Sequence, residues 1–282
     1  MITGTGIIIT SMSMGDSTSP TPFGLSEVEA AVRAEREGFA SAQPERREGR
    51  VTDSATLYDL LSWMSPAWPI GGFAHSGGLE WAVEEGLVTD RAGTARWIGD
   101  LLAHGPAHND IVIFVHAWRA ADAGDAARFA DVAELAAAAQ TGHERRVEAT
   151  AQGAAFRRIA LSTTPHTGFA ELLAGVADED LTYPVAAAAL FARNGIALAS
   201  ALTAWLHGLV ANLVSAAQRL VPLGQTDGQL VLRDLRAQVF AAVEAAVALP
   251  DGDPFDAFAG CTLVADLGCM AHETQYTRLF RT

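Results

Sequence analysis

The sequence predicts an all-α fold, and three observations carry that prediction. Apolar residues recur at helical spacing, as in Leu57, Leu60, Leu61 and Met64 and again in Leu232, Leu235, Val239, Val243 and Ala246. Alternation with a period of two is nearly absent. Alanine runs such as Ala136 to Ala139 and Ala186 to Ala189 favour helix, because alanine gives up no side-chain entropy on entering one. Half of the 282 residues are hydrophobic, which is enough to fill a substantial core. The expectation is a single bundle-like domain over residues 53–282, preceded by a flexible extension over 1–52.

The extension is rich in Ser, Thr, Gly and Pro and then in interleaved Glu and Arg, a composition that buries little. Ser26 and Glu29 are spaced like a capping box, so a short helix is expected from Ser26 to Gly38. From Asp53 onward, glycines and prolines punctuate the chain at Pro66 and Pro69, Gly86 with Thr89 as a cap, Gly105-Pro106, Gly124, Pro165, Pro184, Pro222 with Gly224, and Pro250 to Pro254. These breaks predict about nine or ten helices. Between Arg193 and Arg219 the chain carries no charge, which raises the question of a membrane span. Ser200, Thr203, His207, Asn212, Ser215 and Gln218 would lack partners in lipid, so a buried central helix is the better reading.

Charge and composition exclude several functions. The formal net charge is −14, which repels a nucleic-acid backbone. All 19 basic side chains are arginine, so lysine Schiff bases and the lysine of a phosphate-binding P-loop are ruled out. The two cysteines, Cys261 and Cys269, are too few for a disulfide framework, and Ile7 to Ile9 lacks the basic flank and length of a secretory signal. A cytoplasmic location is expected.

Three groups of residues invite a chemical reading. Ala74 to Gly78 has the A-x-S-x-G form of a nucleophile elbow with Ser76 as the candidate nucleophile of a serine hydrolase. An elbow needs a preceding buried strand, however, and Pro66, Pro69, Gly71 and Gly72 stand there instead. A glycine-rich turn opening a helix from Leu79 to Glu85 fits better. His104, His108 and His116 have metal-like spacing, but Gly105-Pro106 interrupts the helix that would align them, which leaves surface or capping histidines. Cys269 and His272 share a helical face, yet with Cys261 they make an incomplete ligand set, and burial of the cysteines among Leu263, Val264, Leu267 and Met270 is expected. No metal or cofactor site is expected. Trp63, Trp68, Phe73 and Trp81 form either core or a partner surface, with core the favoured reading, and Arg278 and Arg281 are read as a solvated tail or a docking peptide.

Three ordered segments resemble the UreF family of urease accessory proteins: Ser65 to Val88 (SPAWPIGGFAHSGGLEWAVEEGLV), Asn212 to Gln229 (NLVSAAQRLVPLGQTDGQ) and His272 to Arg281 (HETQYTRLFR). The resemblance runs from about Leu57 to the last residue. It implies an all-helical, non-enzymatic scaffold that pairs with itself, binds the accessory protein UreD (also called UreH), recruits the GTPase UreG and helps deliver nickel to apo-urease. On the same ground, gating of GTP hydrolysis and part of a nickel passage are further roles. The implied partner contacts are Ser76 and Glu80 in the S-x-G-L-E turn, Gln225 after the central apolar helix, and His272, Glu273, Tyr276, Arg278 and Phe280 in a tail that orders against UreD. Where the family carries an R-E-T-R-E-like stretch this chain has Gln140, Thr141, Gly142, His143 and Glu144, keeping only the final acid, with Arg145 and Arg146 beside it to stand in for the missing arginines.

Overall fold

A computed structural model describes residues 53–164, 168–258 and 262–282. The expected helix at Ser26 to Gly38, the rest of the extension, Pro165 and Cys261 lie outside them. Among the described residues there are eleven α-helices and two 3-10 turns, and no strand.

Side chains and turns named by the sequence set the helix ends. Helix α1 (Ser54–Trp63) starts on Asp53, whose carboxylate accepts the Thr56 N–H at 2.8 Å. After the short α2 (Leu79–Glu84), α3 (Arg91–His104) is capped by Asp90 through the Gly93 N–H, one residue beyond the expected Thr89. Pro106 opens α4 (Pro106–Ala123) at a position that needs no N–H donor, and left-handed Gly124 closes it. Asp125 caps α5 (Ala126–Ala138). Then follow α6 (His143–Thr163), α7 (Phe169–Leu173), α8 (Tyr183–Arg193), α9 (Leu198–Leu220), α10 (Gln225–Val247) and α11 (Leu263–His272).

The fully buried helix is α8, in which every residue from Pro184 to Ala192 is inaccessible. It packs between α4 and α6. Its alanines let those neighbours approach, and Trp63, Phe114 and Phe156 close around Phe191 with ring centroids 5.7–6.4 Å apart. Gly153 on α6 serves the same approach: a β-carbon there would lie 2.8 Å from the Thr182 carbonyl carbon and nearer still to the Leu181 oxygen.

The charge-free segment that the sequence offered as the central helix is α9. It has the length and apolar character to cross a membrane, but it is amphipathic within the bundle. Leu202, Trp205, Leu206, Val210 and Leu213 face the core, while neither His207 nor any of its five neutral polar side chains is fully buried. In α1 the expected apolar stripe divides: Leu60 and Trp63 point inward, and Leu57, Tyr58 and Leu61 are exposed. Of the early aromatics, Trp63 is core, Trp68 and Trp81 are half-buried, and Phe73 is exposed.

Candidate functional site

The turn before α2 depends on glycine. Gly77 and Gly78 are both left-handed, with φ of 59° and 82°. A β-carbon on Gly78 would stand 2.8 Å from the Cys269 sulfur and 3.3 Å from the Ala265 carbonyl, so the turn is also where α11 lies against the chain. Cys269 and His272 do share the inward face of α11, as their spacing predicts. Leu263, Val264, Leu267 and Met270 do not cover the thiol as expected; they form the opposite, exposed face. Burial pushes the Cys269 thiol up to about 11, with Arg145 opposing.

His272 is wholly buried between two carboxylates. Its Nδ1 lies 2.7 Å from Glu144 Oε2 and its Nε2 3.0 Å from Glu80 Oε2. Only the imidazolium can donate from both nitrogens, so this geometry calls for a charged ring. Glu80 also accepts the backbone N–H groups of Leu279 (2.6 Å) and Phe280 (2.9 Å), and Arg278 donates to Glu144 at 2.8 Å. The two cations and two carboxylates therefore balance with the tail in place.

Beyond Phe280 the tail follows residues 74–76. Arg281 N–H donates to the Ala74 carbonyl, and both the N–H and the hydroxyl of Ser76 donate to the Thr282 carbonyl. The Thr282 hydroxyl donates to Glu148 and accepts from His75 Nδ1 at 2.6 Å. Burial holds His75 below the ordinary histidine value against the pull of Glu148, consistent with a neutral ring. Phe280 enters a small apolar cluster with Leu79, Ala82, Val88, Ala216, Ala217 and Val221. The Arg219 guanidinium lies between Phe73 and Phe280, 3.7 and 4.1 Å from the ring centroids.

Three segments distant in sequence thus converge on one junction. Residues 76–88 supply the turn and α2, residues 213–223 the end of α9, and residues 272–282 the tail. Of the candidate contacts, Ser76, Glu80, His272 and Phe280 are buried within the chain, while Gln225, Glu273, Tyr276 and Arg278 are exposed. Glu273 Oε1 accepts the first N–H groups of α6, from His143 and Glu144, and so caps that helix from 130 residues away. Tyr276 and Leu279, in the tail beyond α11, are exposed as well.

The UreF family model matches residues 88–236. The urease accessory protein UreF of Rhodopseudomonas palustris strain HaA2 is 45% identical over 241 residues, covering 85% of this chain and 100% of that protein. UreF of Bradyrhizobium diazoefficiens is 44% identical over 230 residues, covering 82% and 93%, and UreF of R. palustris strain BisB5 is 45% identical over 229 residues, covering 81% and 92%. The chain belongs to the UreF family.

Within this UreF chain the other candidate sites resolve on geometry. The Ser76 hydroxyl is buried and engaged by backbone, donating to the Thr282 carbonyl and facing the Glu80 N–H, so it is not poised as a nucleophile. His104 is exposed at the end of α3 and His108 lies 3.4 Å from the Ala257 carbonyl, as capping or surface residues would. His116 departs from that expectation: it is 1% exposed, inside α4's contact with α5. Among the described residues no group of three or more His, Cys, Asp or Glu is placed to hold a metal ion. Arg145 is turned inward to Asp110 and Glu148, and Arg146 faces Asp180, so of the two only Arg146 reaches the surface. Sequence reasoning missed Glu148, His75 as a tail contact, and Arg219, because each meets the tail across a long stretch of chain.

Proposed function

We propose that the chain is a non-enzymatic urease accessory scaffold of the cytoplasm. It binds UreD through the outer face of α11 and the tail, pairs with itself in the complex, and recruits UreG for nickel insertion into apo-urease. The observation that carries this reading is the junction itself: the three segments that resemble the family meet there, where α11 exposes Leu263, Leu267 and Met270 and the tail exposes Tyr276 and Leu279. Ser76, Glu80, His272 and Phe280 take the part of supports beneath that face, and Glu273, Tyr276 and Arg278 the part of direct contacts. Gln225 adds a separate exposed contact on the turn after α9.

The test is co-expression of urease and its other accessory proteins with and without this chain, measuring nickel per active site and urea hydrolysis. Both are expected to collapse without it. Unchanged occupancy and activity would overturn the proposal.

A further inference from the structure

The segment between α10 and α11 is tied to the bundle by Arg119 and Arg128, with His108 Nε2 3.4 Å from the Ala257 carbonyl, and buried His116 stands behind Arg128. Arg119 of α4 donates to the carbonyls of Val247 (3.1 Å), Leu249 (2.9 Å) and Pro250 (3.3 Å), which caps the end of α10. Arg128 of α5 pairs with Asp251 and also points Nη2 at His116 Nδ1, 3.3 Å away. A guanidinium can only donate, so His116 must accept, with its proton on Nε2. The ring is neutral, and it sits beneath the Arg128–Asp251 pair that holds the connection down. The 3-10 turn Pro254–Ala257 packs on α4, and a groove lined by Arg128, Asp131, Val132, Gly252 and Asp253 runs alongside.

We propose that His116 is an acid-sensitive latch: protonation of its Nδ1 breaks the Arg128 contact, draws Arg128 off Asp251 and loosens residues 249–258, the lead-in to α11, from α5. A proton at Nδ1 replaces the acceptor with a donor and sets a cation against Arg128 and Arg119. Asp251 and Asp253 are the acids that act against this, and Asp251 is already engaged by Arg128. Other elements packed on α4 bring little charge to bear. Arg193 of α8 donates to the Ala121 carbonyl, while Asp100 and His104 of α3, His207 of α9, Glu244 of α10 and Asp256 are on exposed positions. Burial first, then Arg119 and Arg128, holds His116 below its ordinary 6.5 in the closed state. In the opened state the ring regains water and binds its proton near that ordinary value. Between the two values, each pH unit downward raises the opening equilibrium by up to tenfold.

The test is hydrogen exchange of the full chain from pH 7.5 to 5, corrected for intrinsic rates and compared with His116→Gln, whose amide oxygen can accept from Arg128 without titrating. Protection at 249–258 is expected to fall by up to tenfold per pH unit in the wild type and to stay flat in the variant. Equal pH dependence in both, or none in the wild type, would overturn the latch. Imidazole nitrogen NMR of the wild type gives a reading independent of whether the variant folds. The Nε2–H tautomer is expected at pH 7.5, with protonation tracking the loss of protection, and protonation without loss would equally refute it. Neither measurement depends on urease, so the outcome is separate from that of the proposed function.

Discussion

Glu80→Ala isolates the anchor of the tail. The substitution strands the N–H groups of Leu279 and Phe280 and leaves His272 and Arg278 facing Glu144 alone. Hydrogen bonds to a charged acceptor contribute about 1.5–3 kcal/mol each, but three that share one carboxylate do not add. Removing one partner from a buried ionic set typically costs about 3–5 kcal/mol, and we take that range for the whole loss. It corresponds to roughly a hundred- to several-thousand-fold in the equilibrium between docked and released tail. Phe280 burial and the Arg281–Ala74 and Ser76–Thr282 bonds remain, so the effect should be local. Hydrogen exchange checks it: residues 276–282 should lose protection by that factor while α4 and α8 keep theirs. Glu80→Gln, retaining one acceptor oxygen, should fall between. Wild-type protection of the tail in Glu80→Ala would refute the reasoning, and parallel loss in α8 would show that Glu80 supports the whole bundle instead.

Other perturbations read other parts of the structure. Gly153→Ala drives a methyl into the Leu181–Thr182 backbone, with an expected loss of about 3 kcal/mol and a fall in Tm of roughly 6–12 °C by calorimetry; an unchanged Tm would mean α6 and α8 do not approach as described. The Cys269 thiol, raised from 9.0 to about 11, should carry about a hundredfold less thiolate at pH 8 than an ordinary cysteine. In a Cys261→Ser background, iodoacetamide should therefore react with it at least that much more slowly than with a model thiol. Finally, a fluorophosphonate probe should not label the wild-type chain, since Ser76 is engaged by the tail, and stoichiometric labelling at Ser76 would restore the hydrolase reading.

The fold was legible because its signals are local. Asp53, Pro106, Gly124 and Pro184 act within a turn of the helices they bound, and the periodic apolar residues of α10 are the ones that face the core. Where burial depends on a neighbouring element, the sequence misled. Leu57 and Leu61 have the right spacing for core but face outward, because Trp63 and Leu60 occupy the contact with Phe191 and its surroundings. The longest charge-free stretch pointed to α9 as the central helix, whereas α8, short and alanine-rich, is the one thin enough to be enclosed on all sides. The site was legible by resemblance in its members but not in their roles. Glu80 and His272 are 192 residues apart, and nothing local to either shows that one carboxylate reads both the ring and the tail backbone. Glu144 illustrates the point best: it is the acid retained from an otherwise altered stretch, and the structure gives it work that needs a carboxylate there, pairing with His272 and Arg278.

That pairing also bears on why the junction is ionic. Burying two carboxylates, an imidazolium and part of a guanidinium costs several kcal/mol for each ion, and their mutual attraction recovers little beyond that. A tail held by leucines would dock as well or better. An apolar plug, however, can slide along its groove or turn over at small cost, because dispersion and burial are not directional. The charged junction cannot: Arg278 meets Glu144, and the next two N–H groups meet Glu80, in one register only. Shifting the tail by one residue would break all three contacts and leave buried charge uncompensated. Register fixes which side chains point outward, and here those are Tyr276 and Leu279. For a protein whose proposed output is the shape of a surface rather than a reaction, a junction that contributes position rather than net stability is the arrangement the physics favours.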